Sequence, residues 1–199
     1  MDALFVFISA SFLLALSPGP DNLFVLTQSA QHGKKAGVLI TLGLCSGLIF
    51  HTVLVAFGLS LIMESSLAII ALKLFGAGYL LYLAFKALTA TSKPLRSGPQ
   101  LAAYALYRRG IIMNISNPKV SLFFLVFLPQ FISPDAGSYV YQVFLLSGLF
   151  AMTGMTVFFC IAYAGGSLQE RLANNPKIQI LLNRIAGIIF ILLAINLLL

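Results

Sequence analysis

Residues 15–25 read "ALSPGPDNLFV", and the fold turns on how this stretch is read. The chain on either side is apolar over a length that suits a membrane-crossing helix. Yet Ser17 to Asn22 holds two prolines, a glycine and an aspartate. Pro18 and Pro20 lack a backbone N–H, and each clashes with the turn before it. Gly19 between them is permissive. A helix passing through here breaks or kinks, leaving carbonyls and N–H groups without intrahelical partners. In lipid such a break is tolerated only where it faces protein or a water-filled cavity. Pro20 suits the first turn of a new half-helix. The N–H groups of that turn carry partial positive charge and form a ready site for a carboxylate.

The composition sets the solvent. Of 199 residues, 60% are hydrophobic and 9% charged, and the mean hydropathy is +1.01. A soluble domain carries roughly a quarter charged residues. This chain cannot cover a water-facing surface, so it reads as an all-α integral membrane protein. The net charge of +7 does not point to nucleic acid. The cations sit in short gaps between apolar runs instead of forming a stripe on a polar domain. The first apolar run resembles a signal peptide in length. It opens on Asp2 and lacks a good cleavage site, so it is expected to be a retained helix.

Six apolar segments emerge, at about 3–30, 36–62, 66–86, 111–132, 139–165 and 178–198. Each approaches the roughly 20 residues needed to span hydrocarbon. They form a single membrane domain over 1–199. Basic connections (Lys34 and Lys35; Lys93, Arg96, Arg108 and Arg109, with Lys86 at the edge; Arg171 and Lys177, beside Glu170) alternate with ones holding Glu64 and Asp135. Nine of the 12 Lys and Arg residues fall on one side. The positive-inside rule makes that side cytoplasmic and both termini external. The connection at 87–110 contains "LAAYALYRR", which reads either as a short interfacial helix or as a solvated linker.

An internal repeat is visible. "LKLFGAGYLLYLAF" (72–85) and "LNRIAGIIFILLAI" (182–195) both begin with a basic residue followed three positions later by glycine. "ALSPGPDN" and "NISNPKVS" (114–121) both place a proline in mid-segment with a charge just after it. The expected architecture is therefore two inverted three-helix repeats, 1–90 and 111–199, with helices one and four broken at Pro20 and Pro118. Inverted repeats with broken helices characterise secondary transporters.

Asp21 is the only acid well inside any segment. A charge there costs about 2.5–3.5 kcal/mol on insertion scales. Either it caps the half-helix, or it binds an ammonium group, a proton, or both in alternation. In the partner motif, Asn117 can cap a half-helix starting at Pro118, and Lys119 can pair with Asp21. Asn22, Asn114 and Asn117 complete the candidate substrate-binding group. Ser17, Pro18, Gly19, Pro20 and Pro118 form the breaks. His51, in the second segment, reads as a packing residue or a second proton-coupling candidate. Gly43 and Gly47 read as a close helix contact. Cys45 and Cys160 lie in apolar runs, and the alternative they raise is a membrane thiol–disulfide electron transporter. No metal cluster, nucleophile motif or phosphate loop is visible, so neither an enzyme nor a bound cofactor is expected.

"SPGPDN", "LKLFGAGYLLYLAFKAL" and "YRRGIIMNISNPKV" together resemble the LysE/RhtB family of amino-acid exporters, over essentially the whole chain. The resemblance implies efflux of amino acids or close derivatives across the bacterial inner membrane, driven by an ion or proton gradient. It does not fix the substrate. A single intramembrane acid points to proton antiport, and alternating access is expected by rocking one half against the other. The partners expected are the bilayer, an amino-acid substrate and protons, and a homo-oligomer is left open.

The charge asymmetry yields a first test. A cysteine replacing Ser92 should resist a membrane-impermeant thiol reagent added outside intact cells, whereas one replacing Ser138 should react. Labelling of the Ser92 position from outside would reverse the orientation.

Overall fold

The computed structural model describes residues 2–58, 66–91, 101–165 and 176–198. These residues are dominated by helix, and none of them is in a strand. Helix α1 (Asp2–Leu16) stops before Ser17, and α2 (Pro20–His32) restarts at Pro20. The two are bent by 57°. Helix α3 (Lys34–Val53) runs on into a π turn, Leu54–Gly58. Helix α4 covers Ser66–Leu88 and α5 Ala103–Ile115. Helix α6 (Pro118–Leu122) continues through a π turn, Phe123–Phe127, and a 3-10 turn, Leu128–Phe131. The segments on either side of Ser116–Asn117 are bent by 47°. Helix α7 (Tyr139–Tyr163) and helix α8 (Pro176–Leu198) complete the described chain.

Both breaks follow from proline chemistry. Gly19 is extended, at φ −159° and ψ 177°, and Pro20 takes the first helical position. Asn117 is likewise extended, at φ −81° and ψ 105°, before Pro118. A residue preceding proline is steered out of the helical region. Between α2 and α3 the chain turns at Gly33, whose φ of +85° suits a residue without a Cβ.

Four helical stretches are long and apolar enough to cross a bilayer: Lys34–Gly58, Ile70–Leu88, Tyr139–Tyr163 and Lys177–Ile195. If each bent pair is one crossing, there are six. The protein is thus a multi-pass membrane protein. Its side chains are distributed accordingly. Large apolar groups such as Phe5, Leu67, Phe85 and Leu192 are exposed, whereas Asp21, Gln28, Thr41, His51, Asn114 and Asn117 are buried. Lipid is as apolar as leucine, so burying leucine there drives little, and the interior collects the polar groups.

The 87–110 connection is shorter than expected. Helix α4 reaches Leu88 and α5 begins at Ala103, so Tyr104 to Arg109 belong to the first turns of α5. They are neither a separate interfacial helix nor a linker. The physical reason is that Leu106, Gly110 and Asn114 recur every four residues as one buried face, with no breaker before Ser116. Lys93, Arg96, Glu64 and Arg171 lie outside the described residues.

Helix α3 packs most extensively on α5, and α4 on α8. Glycines make the first contact possible. A Cβ at Gly43 would collide with the Tyr107 carbonyl oxygen, and one at Gly47 would stand 2.7 Å from Asn114 Cβ. A Cβ at Gly110 would strike the Ile40 carbonyl oxygen and lie 3.0 Å from Gly43 Cα. On the other side of the bundle, Gly187 of α8 approaches Leu88 and Ala84 of α4. Gly43 and Gly47 are the close contact expected from their spacing.

Replacing Gly110 by Ala should therefore overpack a backbone contact and cost about 1–3 kcal/mol. Gly148, where a Cβ meets nothing within 4 Å, should accept Ala with no loss. Thermal unfolding in detergent, comparing the two variants, checks the assignment.

Candidate functional site

The two breaks meet inside the bundle, and each supplies what the other lacks. The last turn of α1 leaves carbonyls without intrahelical donors. The Leu13 carbonyl oxygen takes the Ser17 N–H at 2.9 Å. Asn22 donates its amide to the Ala15 carbonyl oxygen at 2.7 Å. Lys119, from the other break, donates its ammonium to the Leu14 and Ser17 carbonyl oxygens at 3.1 and 3.0 Å. A cation at a helix C-terminus is favoured by the dipole as well as by these bonds.

Asp21 sits in the first turn of α2, at the positive end of that half-helix, and is only 2% exposed. Its Oδ2 accepts the Asn117 amide at 2.5 Å. The Asn117 side-chain oxygen turns the other way and accepts the Lys119 backbone N–H at 3.0 Å, capping α6. One asparagine thus caps its own half-helix and holds the acid of the other. Asp21 and Lys119, which could pair directly, line the same cavity and feel each other's charge but form no hydrogen bond with each other. Each charge is instead satisfied by the opposite half-helix, because a dipole end and a free carbonyl lie closer to hand.

Several polar atoms are left over. Asp21 Oδ1, Asn114 Oδ1, Asn22 Oδ1 and Ser17 Oγ are buried without a hydrogen-bond partner. Asp21, Asn114 and Lys119 line one cavity of about 30 Å³. That volume holds about one or two ordered waters. Leu14, Leu44, Cys45 and Leu48 line it, as do Phe150, Gly154 and Phe158 of α7.

Asp21, Asn22, Asn114, Asn117 and Lys119, all named from the sequence, are brought together. His51 is 1% exposed and its Nε2 lies 3.2 Å from the Asn114 backbone carbonyl oxygen, at the end of α5. Its Nδ1 has no partner, and its ring packs on Phe124 with centroids 5.6 Å apart. His51 is therefore attached to the second break but is not on the cavity wall. The unpaired carbonyls expected at the first break are those of Leu14, Ala15 and Ser17, which take side-chain donors. One contribution is not visible in the sequence. The α7 wall carries no polar residue that would draw attention.

The paired thiols of the redox alternative are not supported. Cys45 and Cys160 are both free, Cys45 beside the cavity and Cys160 exposed on α7. Among the described residues no group of His, Cys, Asp and Glu is arranged to hold a metal ion.

The family model described as LysE type translocator matches residues 12–199. The chain belongs to the LysE type translocator family. Within that family it is 32% identical to the homoserine/homoserine lactone efflux protein of Salmonella typhimurium, over 94% of this chain and 92% of the relative. The protein of the same name from Salmonella typhi is 31% identical over the same shares. An uncharacterized membrane protein of Bacillus subtilis, YrhP, is 29% identical over 96% of each chain. No solved structure matches. In this LysE-type chain the matched region takes in both breaks and every residue of the site.

The double duty of Asn117 is open to measurement. Asn117→Ala removes both the cap and the bond to Asp21, and should lower stability by about 1–3 kcal/mol. Asn117→Asp restores a cap acceptor but sets a like charge against Asp21, so it should not recover that loss. Melting temperatures of the purified variants decide it, and wild-type stability in Asn117→Asp would dissolve the link between the breaks.

Proposed function

We propose that the chain is a secondary transporter, not an enzyme, that exports amino acids or close derivatives from the bacterial cytoplasm. The observation that carries this reading is the meeting of two half-helix breaks at a cavity lined by buried polar side chains with unfilled hydrogen-bonding capacity. A zwitterion needs acceptors for its ammonium and donors for its carboxylate a few ångströms apart. Asp21 Oδ1 and Asn114 Oδ1 face that need as free acceptors. Lys119 and the first-turn N–H groups of α2 are the donors; those of α6 are already taken by Asn117. Asn22 and Asn117 hold the two breaks in register. The Salmonella relatives, named for homoserine and homoserine lactone efflux, support the same class of cargo.

The cavity is too small for an amino acid, so the bundle is read as closed on both sides. Toward Gly33, Ser29 is wedged against Gly37 and Gly165, Arg109 lies 5.0 Å over the Phe24 ring, and Lys34 lies 5.0 Å over Tyr163. Toward the other end, Phe7 packs against Phe123 and Phe131 with centroids 5.8 and 5.2 Å apart. In our reading the Gly33 end is cytoplasmic, both termini are external, and 1–90 and 111–199 are inverted repeats. The pairs α3–α5 and α4–α8 each join one repeat to the other. That favours pivoting of α2 and α6 at Gly19 and Asn117 over rocking of whole repeats. Asp21 exchanges a proton with substrate during the cycle, and His51, anchored at the second break, is the second candidate for that proton.

Efflux from preloaded cells tests this reading. Asp21→Asn keeps the shape of the side chain and removes its charge. It should insert normally and lower efflux about 10- to 150-fold, the worth of a charged hydrogen bond. Proton antiport further requires that wild-type efflux fall when the inward proton gradient is collapsed. Absence of amino-acid efflux from the inserted wild-type protein would overturn the function. Full efflux in Asp21→Asn would remove Asp21 from the site.

A further inference from the structure

We infer that the α3 and α7 walls of the cavity form the side-chain compartment of the substrate site, that Gly154 sets its depth, and that it admits amino acids with uncharged, apolar side chains. This rests on the export reading and narrows its cargo.

Phe150, Gly154 and Phe158 recur every four residues and so share one face of α7. All three line the cavity. Gly154 is therefore a notch between two phenyl rings. It is buried, yet a Cβ built on it would meet no atom within 4 Å. The contrast with Gly43, Gly47 and Gly110 is sharp, because those glycines are filled by a neighbouring helix and Gly154 opens on space. The facing residues of α3 are Leu44, Cys45 and Leu48.

Every charged group on the cavity belongs to the helix breaks. Asp21, Asn114 and Lys119 are its polar side chains, apart from the weakly polar thiol of Cys45. Ser147, a buried hydroxyl without a partner one turn before Phe150, does not line it. With Asp21 and Asn114 engaged by the substrate ammonium, a lysine side chain would bring a second cation with no acid to meet it. A glutamate side chain would bring a second anion against leucine and phenylalanine. Burying an unpaired charge is costly, and that cost excludes both. A branched aliphatic side chain fills the notch without leaving any polar group unpaired.

The compartment is tested by selectivity. Preloaded cells expressing the wild type should export leucine and valine at least about tenfold faster than lysine or glutamate. Gly154→Val should lower the leucine-to-alanine efflux ratio at least about tenfold, and Gly154→Ala by a smaller factor, because each added methyl shortens the slot. The Cβ of either residue enters open space, so insertion should be normal.

Binding gives a second readout. In purified Cys160→Ala protein, leucine should slow alkylation of Cys45 by N-ethylmaleimide. With Gly154→Val added, alanine should still slow it and leucine should not. An unchanged leucine-to-alanine ratio in inserted Gly154→Val, or lysine leaving as fast as leucine, overturns the compartment while leaving export intact. If no amino acid is exported and none protects Cys45, the export reading itself fails and the compartment with it.

Discussion

A backbone polar group cannot be left bare in hydrocarbon, and the arrangement of this protein follows from how two broken helices meet that demand. Proline ends α1 at Leu16 and restarts the chain at Pro20; the same event recurs at Ser116–Pro118. Each break frees groups that water would satisfy in a soluble protein. Here the second break serves the first. Lys119 reaches two carbonyls at the end of α1, and Asn117 reaches the acid at the start of α2. Removing either break would leave the other with groups it cannot satisfy alone, at a cost of about 1–3 kcal/mol for each orphan.

The same economy explains how two opposite charges sit near one cavity without bonding to each other. Asp21 rests on the positive end of α2 and Lys119 on the negative end of α1. Each is half neutralised by a dipole before any partner arrives. A closed ion pair would saturate both groups. The observed arrangement instead leaves one carboxylate oxygen of Asp21 and the side-chain oxygen of Asn114 without a hydrogen-bond partner, on residues that line the cavity. Unfilled acceptors in a buried site are costly in a protein that has no use for them.

The breaks, the membrane class and the grouping of Asp21, Asn114, Asn117 and Lys119 were legible in the residues. Proline has one strong physical consequence in a helix, and a charge within an apolar run has few places to go. The direction of each side chain was not legible. Whether Asp21 and Lys119 bond directly was open in the residues, because spacing along a chain reports depth in the membrane but not which carbonyl stands nearest. The start of α5 was misjudged for a related reason. "YALYRR" is amphiphilic in isolation, and only the glycine-lined face of α3 makes it part of a continuous buried helix. The α7 wall was invisible, since phenylalanine and glycine in a membrane segment carry no signal until the cavity between them is seen.

The glycine contacts also bear on how the chain is threaded. Gly43 and Gly110 bring α3 and α5 together backbone to backbone, and Gly187 does nearly the same for α8 against α4. Each of these unions takes one helix from before residue 92 and one from after residue 100. The two stretches of chain are therefore interleaved like clasped hands instead of standing side by side, and neither owns a complete interior. Two separate polypeptides cut between α4 and α5 would be expected to find each other in the bilayer and rebuild the bundle, whereas either one expressed alone would expose glycine-lined grooves and a broken, unsatisfied helix to lipid.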